Sequence, residues 1–401
     1  MKEAVIVGYL RSPLSRSRPG SPERAARDVY NTLRMDELAA EIVTELVNRT
    51  GIEKGDVDEF LSGCALGVGE NWSWGGRTIP LLAEFPVTVP AKMVDQQCCS
   101  SMATIQIGAM EIMLGYSDIV VSVGIEHMTH IAMVNNTMIQ PSGKFVLDPR
   151  YNERDLATAL NMGLTAEKLA EKSGISRQEM DRWSVRSHEF STKSLEEGFF
   201  KDEIMPVTVQ TADGEVTVES DVSIRKDSTL EGMEGLKPAF KMNGVITAGN
   251  SSPVNAGASA MILMSKEEAR KRGLKPLATI RSMASAGVEP SLMGEGPVPA
   301  SRKVLENAGL KVEDIDLWEI NEAFAVVTLN AIKELNIDPD RVNIKGGAIA
   351  LGHPLGVTGT RLVGTLGRIL NLEDKRYGLA TACIGGGQGS ATIIEREDYD
   401  W

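Results

Sequence analysis

The sequence predicts an α/β protein made of two copies of one strand and helix unit, and three observations carry that reading. Residues 48–61, NRTGIEKGDVDEFL, are matched by residues 306–319, ENAGLKVEDIDLWE, with Gly51 on Gly309, Asp56 on Asp314, Asp58 on Asp316 and Phe60 on Trp318. The same spacing lays residues 118–124, DIVVSVG, on residues 376–382, RYGLATA, and an apolar-periodic helix precedes each. Strand-like runs also alternate with helix-like runs, which implies a mainly parallel sheet covered by helices through right-handed crossovers.

Taken in order, residues 1–10 read as a strand. A helix starting at Asp36 carries Leu38, Ile42 and Leu46 and ends at Gly51, which suits a left-handed cap; the matching helix has Ser301 as its expected N-cap and ends at Gly309. A further helix with Met102, Ile105, Ala109 and Ile112 has its counterpart from Leu362 to Leu370. Between the halves the chain is richer in charge, and Ser176 with Glu179 forms a capping-box pattern there. The strand at residues 257–265 returns to the first half, and residues 267–275 link to the second. The expected organisation is a first half from residues 1–127 and 251–272, an inserted lid from 128–250, and a second half from 273–401.

Composition narrows the function. A chain of 401 residues exceeds what one core serves, so two or three packed domains are expected. A formal charge of −13 repels phosphate backbones and anionic membranes, so no nucleic-acid partner is expected. No apolar run approaches the roughly 20 residues that span a bilayer, and the start of the chain does not read as a secretion signal, so the expected compartment is the cytoplasm. Cys64, Cys98, Cys99 and Cys383 are too scattered for a disulfide framework or a zinc site.

Four segments carry candidate chemistry. Residues 94–101, VDQQCCSS, put Cys98 at the start of the Met102 helix, where free amides favour an anion and would lower the thiol pKa; the other reading is a buried packing cysteine, which is the one given to Cys99. Residues 343–361, NIKGGAIALGHPLGVTGTR, hold His353 in a tight turn that is the counterpart of the Cys98 loop, so an approximate twofold would bring its imidazole toward the thiol to form an ion pair. Residues 380–389, ATACIGGGQG, end a strand at Cys383 and follow it with glycine amides able to face an oxyanion. Asn321 in NEAFA either orients a water or carbonyl, or starts a helix. His127 and His130 beside Glu126 lack further ligands at suitable spacing, so no metal is expected. No dinucleotide or P-loop glycine motif is present.

Together VDQQCCSSM, IEHMTH, NMGLTAE, ITAGNSS, MGEGPVPAS, NEAFA, GGAIALGHPLG and CIGGGQG resemble, in order and spacing, the thiolase family, and within it the bacterial 3-ketoacyl-CoA thiolases of fatty-acid β-oxidation. The resemblance implies duplicated mixed five-stranded sheets in a five-layered α-β-α-β-α arrangement with a lid, and a homodimer or a dimer of dimers. It implies Cys98 as acyl-accepting nucleophile, His353 as its activator and Cys383 as acid and base. Asn321 with a water, and the amides of Cys98 and Gly385, would serve two oxyanions. Coenzyme A would be a substrate, with no prosthetic group, lined by Met162, Arg225, Phe240, Ala248, Ser252, Met293 and Phe324; Lys226 is a further cation. Asn161 stands where acetoacetyl-CoA-specific members carry His, which favours the broader degradative enzyme over a short-chain acetyl-CoA C-acetyltransferase. Cys99 stands where glycine is common. Residues 11–31 form a long arginine-rich segment, either a surface loop or a contact for a partner or a CoA phosphate, and a β-oxidation multienzyme partner is a further expectation. A ketosynthase-like condensing enzyme and a non-catalytic acyl-CoA binder are the rival functions.

Overall fold

The computed structural model describes residues 1–134, 136–211 and 214–399. The strands are β1 (Ala4–Arg11), β2 (Glu59–Gly63), β3 (Ala91–Val94), β4 (Ile119–His127), β5 (Val207–Thr211), β6 (Gly214–Val218), β7 (Ala256–Ser265), β8 (Ala278–Gly287), β9 (Leu317–Ile320), β10 (Tyr377–Ile384) and β11 (Gln388–Glu395). Nine of them join in the order β3-β2-β4-β7-β1-β8-β11-β10-β9, while β5 and β6 form a separate hairpin. The long sheet is two similar halves meeting edge to edge, where β1 pairs with β8 only through Val5–Thr279 and Ile6–Ala278.

The duplication shows in the pairing. β2 lies parallel to β4 as β9 lies parallel to β10, and β7 and β11 then run antiparallel to these neighbours. Where β3 pairs with β2 in the first half, the second half has a single parallel bridge between Trp318 and Val342. The sheets are mixed, whereas alternation alone predicts a mainly parallel sheet. β7 and β11 do not return through a short βαβ crossover: β7 re-enters after the inserted segment and β11 after the tight turn that follows β10, so neither is held to the parallel direction.

Side-chain alternation sorts the helices into layers. Val121, Ile262 and Met264 face the outer helix Met35–Thr50, while Val120, Met261 and Leu263 face inward with residues of helices Ser100–Met113 and Thr358–Leu372. These two inner helices pack together so closely that a Cβ on Gly359 would lie 2.0 Å from the Met102 nitrogen. Helix Pro297–Ala308 covers the outside of the second half. Gly51 and Gly309 end the two outer helices at φ 66° and 67°, the left-handed caps expected of them. The second outer helix begins at Pro297, a turn before the expected Ser301 cap, because proline at the first helical position leaves no backbone donor to satisfy.

The segment between β4 and β7 is tied to the body by buried charge. Helix Arg177–Glu196 starts with the expected capping box of Ser176 and Glu179, and helix Met162–Ser173 is capped by Asn161, whose Oδ1 accepts from the amides of Gly163 and Leu164. The fully buried Arg11 guanidinium pairs with Glu203 at 2.9 Å and Asp221 at 2.7 Å. The buried Glu322 carboxylate accepts from Trp183 Nε1 at 2.9 Å, Ser187 Oγ at 2.7 Å, Asn343 Nδ2 at 2.9 Å and the Ile349 amide at 3.1 Å, which joins the insertion to the loop before His353.

Candidate active site

Cys98 lies in the 3-10 turn Gln97–Cys99 that runs into helix Ser100–Met113, with Gln97 at φ 48°. Its side chain shares a cluster with Ala65, Leu66, Met128, Ile131 and Leu355, the last being two residues beyond His353. The Gly385 amide is directed to the Cys98 sulfur, and Cys383, fully buried near the end of β10, is close enough to Cys98 for the Cys98 sulfur to raise its pKa. The Cys98 loop of the first half and the Cys383–Gly385 strand end of the second therefore meet.

The second-half loop that carries His353 packs on the Cys98 turn through residues 355–357. The amide of His353 donates to Asn255 Oδ1 at 2.8 Å, the ring Nδ1 lies 2.6 Å from Thr358 Oγ1, and Asn321 Nδ2 lies 3.3 Å from the ring Nε2. Asn321 is fully buried and is not a helix cap, since helix Ala325–Leu335 starts after Phe324; its amide donates to Thr381 O at 2.9 Å, and its Oδ1 has no protein partner. The Gly356 amide, in the same turn as His353, donates to the buried Glu126 at 2.9 Å; Glu126 also accepts from the amides of Ala65 and Leu66 and from Asn71 Nδ2. Glu126 thus fastens the His353 turn to the first half.

The electrostatics correct one expectation. Burial pushes the Cys98 thiol up to about 11, against the lowering effect of the Gly385 amide and its own, and burial followed by the neighbouring Cys98 raises Cys383. Burial, with Arg361 nearby, pushes His353 down to about 3. The pair at rest is neutral thiol and neutral imidazole, and neither the lowered thiol pKa nor the resting ion pair expected from a helix terminus is found. The reason is desolvation: a nine-tenths buried site costs a charge more than one helix end and two amides return.

The expected CoA-lining residues divide. The Phe240 ring stacks edge-on against Phe324 at 6.0 Å and lies over Gly163, where a Cβ would fall 2.0 Å from the ring; next to it in the chain is Met162, whose sulfur approaches Gly385. Ser252 donates its amide to Ala323 O at 3.0 Å, which sets it beside NEAFA, and Ala248 is exposed in the same loop. Met293 is buried in the same core cluster as Phe324, with Met162 packed against that cluster. Arg225 is exposed and its amide donates to His188 Nδ1 at 3.2 Å, while Lys226 pairs with Glu196 at 3.3 Å. Arg18 and Arg225 lie near Arg16, whose guanidinium burial and these like charges hold below its usual value.

His127 and His130 stack at 3.6 Å with 11° between planes. His130 directs Nδ1 to Glu70 at 2.7 Å and Nε2 to Asn31 O at 3.0 Å, and His127 Nε2 meets Tyr30 O at 3.1 Å. Together with Glu70 they form the one group able to approach a metal ion among the described residues. Rings stacked face to face at 3.6 Å keep their lone pairs in two nearly parallel planes, and one ion cannot lie in both. Two open surface grooves, of about 370 and 770 Å³, are lined by residues around Tyr9 and Arg368 and around Glu41 and Thr208; neither touches Cys98.

Thr358, Asn255, Glu126 and Glu322 escaped the sequence reading as site residues. Thr358 had a signal, standing five residues after His353 in the same motif, whereas Asn255 reaches His353 only through the fold.

Among the described residues no helix is long and apolar enough to cross a membrane. The chain is 43% identical to the 3-ketoacyl-CoA thiolase of Saccharophagus degradans over 98% of both chains, and 40% identical to that of Bacillus subtilis over 98% of this chain and 100% of the other. Human mitochondrial 3-ketoacyl-CoA thiolase superposes with a TM-score of 0.87 at 32% identity over 99% of each chain. The acetyl-CoA acetyltransferase of Bacillus anthracis gives 0.85 at 37% identity over 98% of this chain and 99% of that one. Residues 14–267 match the description Thiolase, N-terminal domain, and residues 274–396 match Thiolase, C-terminal domain: the chain belongs to the thiolase family.

Proposed function

We propose that the protein is an acyltransferase that cleaves 3-ketoacyl-CoA with CoA, giving acetyl-CoA and an acyl-CoA two carbons shorter. His353 takes the Cys98 proton as the sulfur attacks the 3-keto carbon, and the oxyanion faces the amides of Cys98 and Gly385. The bond between carbons 2 and 3 breaks, leaving its electron pair on the enolate of acetyl-CoA, whose oxygen is served by His353 and by a water held on Asn321. Cys383 gives its proton to carbon 2. An incoming CoA thiol returns a proton to Cys383, and its thiolate displaces the acyl group from Cys98, which recovers a proton from His353. The reading is supported above all by the meeting of Cys98 with Gly385 and Cys383 from the opposite half, with the turn that follows His353 packed on Cys98 through Leu355.

The lid of residues 128–250, with Arg225, Phe240, Ala248 and the neighbouring Ser252, is the proposed CoA-binding part. Met162, Phe240 and Phe324 form its apolar wall next to Gly385. A homodimer is part of the proposal: β3 is an edge strand, Gly76 packs against the Lys92 backbone of that edge, and Trp72, Trp74, Leu81 and Leu82 leave apolar surface exposed nearby. The cytoplasm is the proposed compartment, in keeping with four free buried cysteines. The test supplies CoA and 3-ketoacyl-CoA of graded chain length and reads products by mass spectrometry. Acetyl-CoA and the shortened acyl-CoA are expected from the wild type and neither from Cys98→Ala; no acetyl-CoA at any chain length would remove the assignment.

A further inference from the structure

The contacts of His353 decide which ring nitrogen carries its hydrogen. Thr358 Oγ1 lies 2.6 Å from Nδ1, and the same hydroxyl donates to Pro354 O at 3.0 Å. A hydroxyl has one proton to give. Since it goes to Pro354, Thr358 accepts from the ring, Nδ1 holds the hydrogen, and Nε2 carries the lone pair. Asn321 Nδ2 lies 3.3 Å from Nε2 and 3.5 Å from Nδ1, so it does not choose between the nitrogens, and the tautomer rests on Thr358. The backbone is held too: Asn255 Oδ1 accepts the His353 amide, and Asn255 Nδ2 donates to Ser15 O at 2.6 Å and Ser223 Oγ at 3.3 Å. Thr358 is itself the buried first residue of helix Thr358–Leu372, so its hydroxyl has little freedom to turn away.

We propose that Thr358 is a positioning residue for the thiolytic reaction: locked to Pro354, its hydroxyl accepts the Nδ1 hydrogen of His353 and thereby keeps the Nε2 lone pair available for the proton of Cys98. This rests on the function proposed above. Without the hydroxyl the other tautomer becomes accessible, and it presents Nε2–H to Cys98, which cannot take a proton. A carboxylate in the same place would also fix the tautomer but would hold the imidazolium by its charge. A neutral hydroxyl leaves the ring free to take the Cys98 proton and give it back within one turnover.

Thr358→Val keeps the shape and removes the acceptor; Thr358→Ser keeps the acceptor. Two readouts apply: kcat and KM for CoA in thiolysis, and the rate at which iodoacetamide alkylates Cys98, followed by peptide mass spectrometry. Thr358→Val is expected to lower kcat by about tenfold to a hundredfold, the range of a weakened general base, with KM for CoA within about threefold of wild type. Cys98 alkylation is expected to slow with it, and Thr358→Ser to restore both. Wild-type alkylation in Thr358→Val, or a serine variant as impaired as the valine one, overturns the proposal. Should Thr358→Val fail to fold by circular dichroism, the same comparison is made with Thr358→Ala. Alkylation needs no acyl-CoA, so loss of thiolysis in the wild type would count against the proposed reaction and not against this role.

Discussion

Cys98 and His353 show how burial sets the working state of a pair of groups. With the thiol up at about 11 and the imidazole down at about 3, neither titrates in the free protein near neutrality, and in the proposed mechanism the proton moves as the sulfur attacks an electrophilic carbon. From these two groups kcat/KM is therefore expected to be flat between roughly pH 6 and 9, because a thiol is lost only as pH rises toward its raised value and a neutral imidazole only as pH falls toward its lowered one. A kcat/KM series in constant-ionic-strength buffers checks this, and a sigmoidal rise centred near the ordinary histidine value would show a resting ion pair instead. The candidate residues could be picked out of the chain because Cys98 precedes a helix, His353 and Cys383 sit in glycine-rich turns and Asn321 follows a strand. Their protonation could not, because it depends on how much water the assembled halves exclude.

At the scale of elements, local rules held where the signal was local. Gly51, Gly309 and the Ser176–Glu179 box mark helix ends through backbone geometry that a few neighbouring residues fix. The antiparallel course of β7 was not readable, since it follows from a long excursion, and helix Pro297–Ala308 started before Ser301 because proline overrode a serine cap. The stacked His127–His130 pair does the job of an element tie, holding residues 30 and 31 against β4. Its hydrogen bond with Glu70 raises His130, and the same bond lowers Glu70 although burial opposes it. The contribution of the pair is present where Glu70 is ionised and His130 protonated. It fades as pH falls through the lowered Glu70 value and as it rises through the raised His130 value. Glu70→Gln is expected to lower Tm by about 1–3 °C near pH 6, where the pair is intact, and by less near pH 9. Equal shifts at both values in a thermal melt would deny the ion pair any part.

For the whole molecule, the long-range ties are polar and buried, and composition gave no sign of them. Arg11 at the end of β1 meets Glu203 and Asp221 from the insertion, and Glu203 also takes Arg368 from the second half at 3.0 Å. One cluster thus joins three parts of the chain. Arg11→Met removes the cation and leaves Asp221 buried with the Leu14 amide at 2.8 Å as a remaining donor. A loss of about 3–5 kcal/mol is expected by urea unfolding, the cost of stranding a buried charge, and a change under about 1 kcal/mol would mean that the site relaxes or takes in water. The duplication itself was plain in the sequence, since one constant spacing recovered both strands and helices of the second copy.

The close contact of Gly359 with Met102 has a consequence for synthesis. The ribosome releases Cys98 early and His353, Cys383 and Gly385 last, and the two inner helices can only cover each other once both exist. A partly made chain therefore holds the proposed nucleophile without its proposed partners, and on that reading acyl transfer waits until the C-terminal segment from His353 onward has docked.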